Sequence, residues 1–427
     1  MFKANLDRKL IGSGIAVGLI VSLLTGCGGS SNSTNSATSN TGNTGNGGTT
    51  PGTTTVTGND CIATNTLGIS KLPAASTALY KTTFCKYLAL PTPGGKSIGF
   101  YAQQAISDDQ LIRAQRILAF YLEGKDAVAN HMAENGAHMM LLKGADGDIE
   151  LPDGLQGQPL YEKEMITEGS IGYSSTDPNT YRDASFEEIL HLMHDYGIGT
   201  ASQPGADMAF SSQIKKAQEN AMAQSLWPSA SVDQDTRNWI EELRKEGSLS
   251  QEYLASVLDS YYGLWQGTPE PGGMRGIYAA KTRADVETKD PLGYAVMQAY
   301  FQPNLTYMAR IDPSFSGTFS LQLDNNQSYT YKSQYLTHAR LTGSNDSNLQ
   351  GNARDNLLAG NSATNNIDGA DGIDTLLLQG PLSAYSIQKN ANSIVIQDSM
   401  NNRDGIIEIR NVEKVRFSDQ EKQTENF

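Results

Sequence analysis

Basic residues, histidines and cysteines are all scarce in this chain of 427 residues. Lysine and arginine number 32 against 46 acids, a formal net charge of -14. A surface with that excess of acid repels phosphate, which argues against nucleic acid as a partner and against a polybasic membrane patch. Five histidines leave few places for imidazole chemistry. No G-x-S-x-G elbow, phosphate-binding glycine loop or cysteine–histidine pairing for a thiol nucleophile stands out. The three cysteines are Cys27, Cys61 and Cys85. Long apolar runs are also absent, apart from residues 10–24, which are too few and too glycine-rich for a confident membrane span.

What is present begins with export. Lys3, Arg8 and Lys9 precede that apolar run, as in a secretory signal. The run ends in "LTGC", Leu24 to Cys27, which resembles the lipobox of bacterial lipoproteins. The resemblance implies removal of residues 1–26, lipid on Cys27 and attachment to a membrane through that lipid. Gly28 follows the lipidated residue where an acid would retain the protein at the inner membrane, so the expected location is the outer membrane or cell surface. Cleavage removes three bases and the acid Asp7, so net charge moves from -14 to -16. With Cys27 lipidated, Cys61 and Cys85 form an even pair in an oxidising compartment. A disulfide between them is expected, worth about 3 kcal/mol by chain entropy; two buried thiols are the other reading. Residues 27–60 contain almost no large apolar side chain and read as a flexible tether.

From Ser107 the chain alternates readably. "SDDQLIRAQRILAFYLEG" has an N-cap serine, acids in its first turn and a glycine stop at Gly124. "DAVANHMAENG" predicts a second helix, with His131 on a solvated face, and "AHMMLLKG" a buried strand carrying His138. In "SFEEILHLMHDYG", Ser185 and Glu188 fit a capping box, and Gly197 fits a left-handed stop. Phe186, Ile189, Leu190 and Met193 form an apolar stripe. Glu187, His191 and His194 fall at i, i+4 and i+7 on the adjacent face, a set of donors suited to zinc. Capping and helix-dipole roles for the same acids and His194 are the ordinary alternative.

"EEILHLMH" resembles the HExxHxxH helix of zincin-like metallopeptidases. The segments around residues 111–153, 215–227, 252–265 and 282–301 are similar in order and spacing to the elements flanking that helix, so the likeness covers roughly residues 95–302. It implies Glu188 as general base and His191 as a zinc ligand. Glu187 stands where the first histidine ligand would be, and Ser256 where a later helix would supply a glutamate. An anionic ligand in place of imidazole makes bound water less acidic, and a lost ligand weakens the site further. Two sets of roles follow: a degenerate site used for binding, or an active zinc peptidase with Glu187, His191 and His194 as ligands and Glu188 or Asp259 nearby.

From Leu341 the composition turns to Gly, Asn and Asp. Gly351, Gly360 and Gly369 recur every nine residues, with Leu358, Ile367 and Leu376 in the same phase. "GADGIDTLL" resembles the nonapeptide of repeats-in-toxin (hemolysin-type) proteins, which implies a calcium-binding parallel β-roll closed by the strands that follow. The sixth positions, where an acid would bind calcium, are Asn356, Asn365 and Asp374. The expected fold class is α+β. A signal (1–26) and tether (27–60) lead to a mainly helical zincin-like domain with a small sheet (61–340), then an all-β roll-like module (341–427). The expected function is that of a lipid-anchored envelope protein that binds a peptide or protein ligand, with zinc and calcium as its metals.

Overall fold

A computed structural model describes residues 66–149 and 151–427. The signal, the tether, Cys27 and Cys61 lie outside these residues. Among the described residues the chain is a mixed α/β structure with three mixed sheets. The first sheet has the order β1 (Lys86–Pro91), β2 (Ser97–Ala102), β3 (His138–Leu142), β4 (Gln158–Tyr161), antiparallel between the first two strands and parallel thereafter. Helices α1 (Asp108–Tyr121) and α2 (Asp126–Glu134) pack against it. Ser107 caps α1 in a reciprocal bond with Gln110, as the sequence predicts. Both helices give way at glycines with positive φ, Gly124 and Gly136.

Helix α3 (Ser185–Met193) occupies the centre. It touches α1, β4 and the later helix α6. Between them come α4 (Met208–Ala223) and α5 (Gln234–Glu246), then α6 (Leu249–Tyr261); α7 (Arg283–Lys289) and α8 (Pro291–Tyr300) follow. The apolar stripe of α3 is buried as expected, with Ile189, Leu190 and Met193 each 0% exposed. Its ends differ from the sequence reading. The N-cap is Ala184, without a side-chain cap bond. Ser185 is instead bound tertiarily: its Oγ accepts from Arg113 Nη1 at 2.8 Å, and its N–H donates to Asp183. Gly197 is not left-handed either. It lies in a π-turn, His194–Ile198, where a Cβ would come within 2.6 Å of Val128 and 2.8 Å of Met132. Close packing requires that glycine, and the chain turns at Gly199 (φ 98). His131 is half-buried rather than solvated, with Nδ1 2.9 Å from the carbonyl of Tyr196.

The C-terminal sheets start at Ala309, upstream of the composition shift at Leu341. Strands β5 (Ala309–Ile311), β6 (Gly317–Ser320), β7 (His338–Leu341), β8 (Ser347–Gln350), β9 (Leu357–Ala359), β10 (Thr364–Asp368) and β11 (Thr375–Leu377) alternate between two stacks. Neighbours within each stack are parallel. Ile367 stands opposite Leu349 and Leu376 opposite Leu358, two nine-residue steps apart. All four are at most 1% exposed, so one large apolar residue per step fills the space between the sheets. Strands β12 (Tyr385–Lys389), β13 (Ile394–Asp398) and β14 (Ile406–Arg410) complete one stack; β15 (Lys414–Arg416) and β16 (Glu421–Gln423) complete the other.

One buried arginine ties these parts to α3. Arg113, 4% exposed, donates from Nε to Glu168 at 2.8 Å and from Nη2 to Asp183 at 2.7 Å. Tyr307, just before β5, donates to the same Glu168 oxygen at 2.6 Å. A buried charge whose partner is removed is costly. Arg113→Ala should therefore lower stability by about 3–5 kcal/mol, read from the urea midpoint; an unchanged midpoint would show that the network does not hold α3.

Candidate functional site

The site lies where α3 meets α6. Glu187 and His191 are on successive turns of α3, and Glu252 projects from the first turn of α6. One donor atom from each lies within 4.8 Å of the others. His191 Nε2 is 3.7 Å from Glu252 Oε1, is buried and has no hydrogen-bond partner. That orphaned nitrogen, between two carboxylates, is what a divalent cation would engage.

Of the residues singled out from sequence, Glu187 and His191 come together, and His194 does not join them. Seven helical residues span about 10 Å of axis, so three donors strung along one helix do not converge on one ion. The third donor comes from the crossing helix. His194 is 1% exposed with Nδ1 unpartnered, and burial followed by the charge of His191 pushes its pKa down to about 3. Glu188 faces the strand side: it accepts from Gln158 Nε2 on β4 at 2.8 Å and lies 3.6 Å from His191 Nδ1. The sequence pattern puts Ser256 at the ligand position, whereas the structure brings in Glu252, one turn earlier in "EYLASV". Ser256 is fully buried, accepts from Trp227 Nε1 at 2.9 Å and donates to the Glu252 carbonyl.

Burial governs the electrostatics. Glu187 is 4% exposed and is paired with Arg182, which also reaches Glu164 at 3.4 Å. Burial opposes charge on His191, but Glu252, then Glu188 and Glu187, outweigh it and push its pKa up to about 10. Asp259 lies behind the cluster; burial and then the Glu187 charge push its carboxyl up, while Trp265 Nε1 donates to it at 2.7 Å. Without a cation, the His191 imidazolium lies against Glu252 and Glu188, and the Arg182 guanidinium against Glu187 and Glu164.

A cavity of about 60 Å³ opens beside the cluster. Arg182, Glu187, Glu252, Trp239, Trp265 and Arg275 are among its walls. Arg275 lies in a left-handed turn: Met274 (φ 39), Arg275 (φ 55) and Gly276 (φ 78) are consecutive. Each non-glycine there costs about 1–2 kcal/mol. Surrounding bonds hold it: Ser229 N–H donates to Ile277 O at 2.7 Å, and Ser229 Oγ to Gly276 O at 2.8 Å.

The repeat turns use their sixth positions differently. Asn356 and Asn365 are buried, and each Oδ1 accepts the backbone N–H four residues back, of Asn352 at 2.8 Å and Asn361 at 2.9 Å. Their amides donate to Asn352 and Asn361 Oδ1 and to the carbonyls of Thr337 and Ser347. Each amide thus bridges a side-chain and a backbone acceptor of the turns. Gly351 and Gly360 have no positive φ; a Cβ there would run into these asparagine oxygens. In the third turn Asp374 replaces the asparagine. Its Oδ1 accepts from Asn356 N–H at 2.7 Å, and its Oδ2 is buried without a partner. Burial, with Glu413, Asp355 and Asp368 adding, pushes its pKa up to about 7 against the opposing Asn356 bond. Among the sixth positions, Asp374 is thus the one with a buried oxygen left without a hydrogen-bond partner.

Cys85 is buried and disulfide-bonded. Its expected partner Cys61 lies outside the described residues. Among those residues no helix is long and apolar enough to cross a membrane. No model of a known family matches the chain, and no curated protein matches it.

Asp374 has a folded pKa of about 7 against 3.8 unfolded. Its folded form therefore favours the proton, and the stability this brings is present below pH 3.8 and lost as pH rises through 7. Asp374→Asn supplies the donor of the other two turns. In chelator at pH 8 it should raise stability by about 1 kcal/mol, and the gain should shrink at pH 5. Thermal unfolding at both pH values checks this; a less stable variant at pH 8 would contradict it.

Proposed function

We propose that this is an exported, lipid-anchored envelope protein whose helical domain is a zincin-like scaffold for binding, with a divalent-cation site at Glu187, His191 and Glu252. The convergence of these three donors around the orphaned His191 nitrogen is the observation that carries the reading. Two carboxylates and one imidazole suit zinc. When bound, zinc would supply a Lewis acid able to polarise a carbonyl of a peptide or protein ligand. Arg182 holds Glu187 in place and competes with the cation for it, which favours a site that binds over one tuned for hydrolysis. The C-terminal module is a repeats-in-toxin-like β-roll, with Asn356 and Asn365 closing their own turns and calcium confined to the Asp374 turn. The lipid on Cys27 and the tether would hold both parts at the outer membrane or cell surface.

A second reading keeps peptide hydrolysis, with Glu188 as general base. Its position beside His191 favours it; its bond to Gln158 opposes it.

Metal analysis after zinc loading and dialysis should give about one zinc per chain. His191→Ala and Glu252→Ala should each weaken zinc by on the order of 100-fold or more, while His194→Ala leaves it unchanged. Retention of zinc in the first two variants would refute the site. Peptide hydrolysis abolished by Glu188→Gln would establish the second reading over the first.

A further inference from the structure

Arg275 is the cation that the metal cluster does not use. Arg182, across the same cavity, is consumed by Glu187 and Glu164. Arg275, by contrast, makes no hydrogen bond or ion pair with any described residue and remains exposed. The chain nevertheless holds it in a left-handed turn, an arrangement that persists only where surrounding structure over-determines it and that clusters at ligand clamps. The cavity it borders is walled on other sides by Trp239, Trp265, Met274 and Ile277. One ordered water needs about 10–15 Å³ of such space, so about 60 Å³ has room for a carboxylate head group. A guanidinium fork with free donors beside apolar and indole walls matches a planar carboxylate on an apolar body, which arginine binds bidentately.

We propose that this cavity is a carboxylate subsite: Arg275 grips the carboxylate of a ligand whose apolar or aromatic portion lies against Trp239 and Trp265, with the rest passing over the Glu187–His191–Glu252 cluster. The inference rests on the reading that the cluster belongs to a ligand-binding site, and it adds the ligand's chemistry. A peptide C terminus and an aspartate side chain offer the same group, and the probes separate them.

The test uses the full chain, first stripped of metal by chelator so that no ion can hold the carboxylate. Binding of N-acetylphenylalanine, its amide and N-acetylaspartyl amide is followed by tryptophan fluorescence and calorimetry. N-acetylphenylalanine should bind at least tenfold more tightly than its amide. Arg275→Asn, which suits the left-handed backbone, should erase that difference while unfolding at the same temperature as the parent. Arg275→Lys should keep part of it. A tighter N-acetylphenylalanine than N-acetylaspartyl amide assigns the subsite to chain termini, and the reverse to acidic side chains. Equal affinity for acid and amide, no binding of either, or a preference that survives Arg275→Asn would overturn the proposal. The metal reading fails separately, by absence of zinc, and that result leaves the acid–amide difference standing.

Discussion

Glu187 is a carboxylate taken almost wholly out of water, and the site depends on the positive charge of Arg182 set against it. An unpaired buried carboxylate would take up a proton or unfold its surroundings. An imidazole at the same place can be buried neutral, as His194 is just past the end of α3. With glutamate there, a resident cation is needed whether or not a metal is present. That requirement brings Arg182 into the cluster. A glutamate at this position thus sets the electrostatics of the whole pocket.

The C-terminal turns answer the same physical demand differently. Each brings backbone donors and acceptors together at a buried corner. Asn356 and Asn365 satisfy both kinds of group with one neutral amide, accepting through Oδ1 and donating through Nδ2. Asp374 can only accept when ionised, and its second oxygen is left over. The difference between a turn that closes itself and one that needs a proton or cation is a single atom.

Local signals were legible where the residue concerned interacts only with its own segment. Ser107 caps its helix and Gly124 ends it, because both act within a turn of their own position. Ser185 has the same pattern and fails as a cap, because Arg113, distant in sequence, takes its hydroxyl. Gly197 has the composition of a helix stop and serves instead to admit Val128 and Met132. The nine-residue phase of Leu358, Ile367 and Leu376 was readable since it is strictly periodic. The three earlier strands were not, because the chain between Ser320 and His338 breaks that period. Glu252 is not legible as a donor for a related reason: nothing in "EYLASV" says which turn of α6 crosses α3.

The sequence by itself determined the helix of Glu187 and His191, the apolar stripe that buries it and the phase of the repeat. Each follows from the fixed periods of helix and strand. Only the tertiary structure decided that Glu252 replaces His194 beside them, that Arg182 neutralises Glu187, and that Asn356 and Asn365 close their turns without a cation. Convergence of donors, burial of charge and competition for a hydrogen bond arise between segments far apart in the chain, and no local period encodes them.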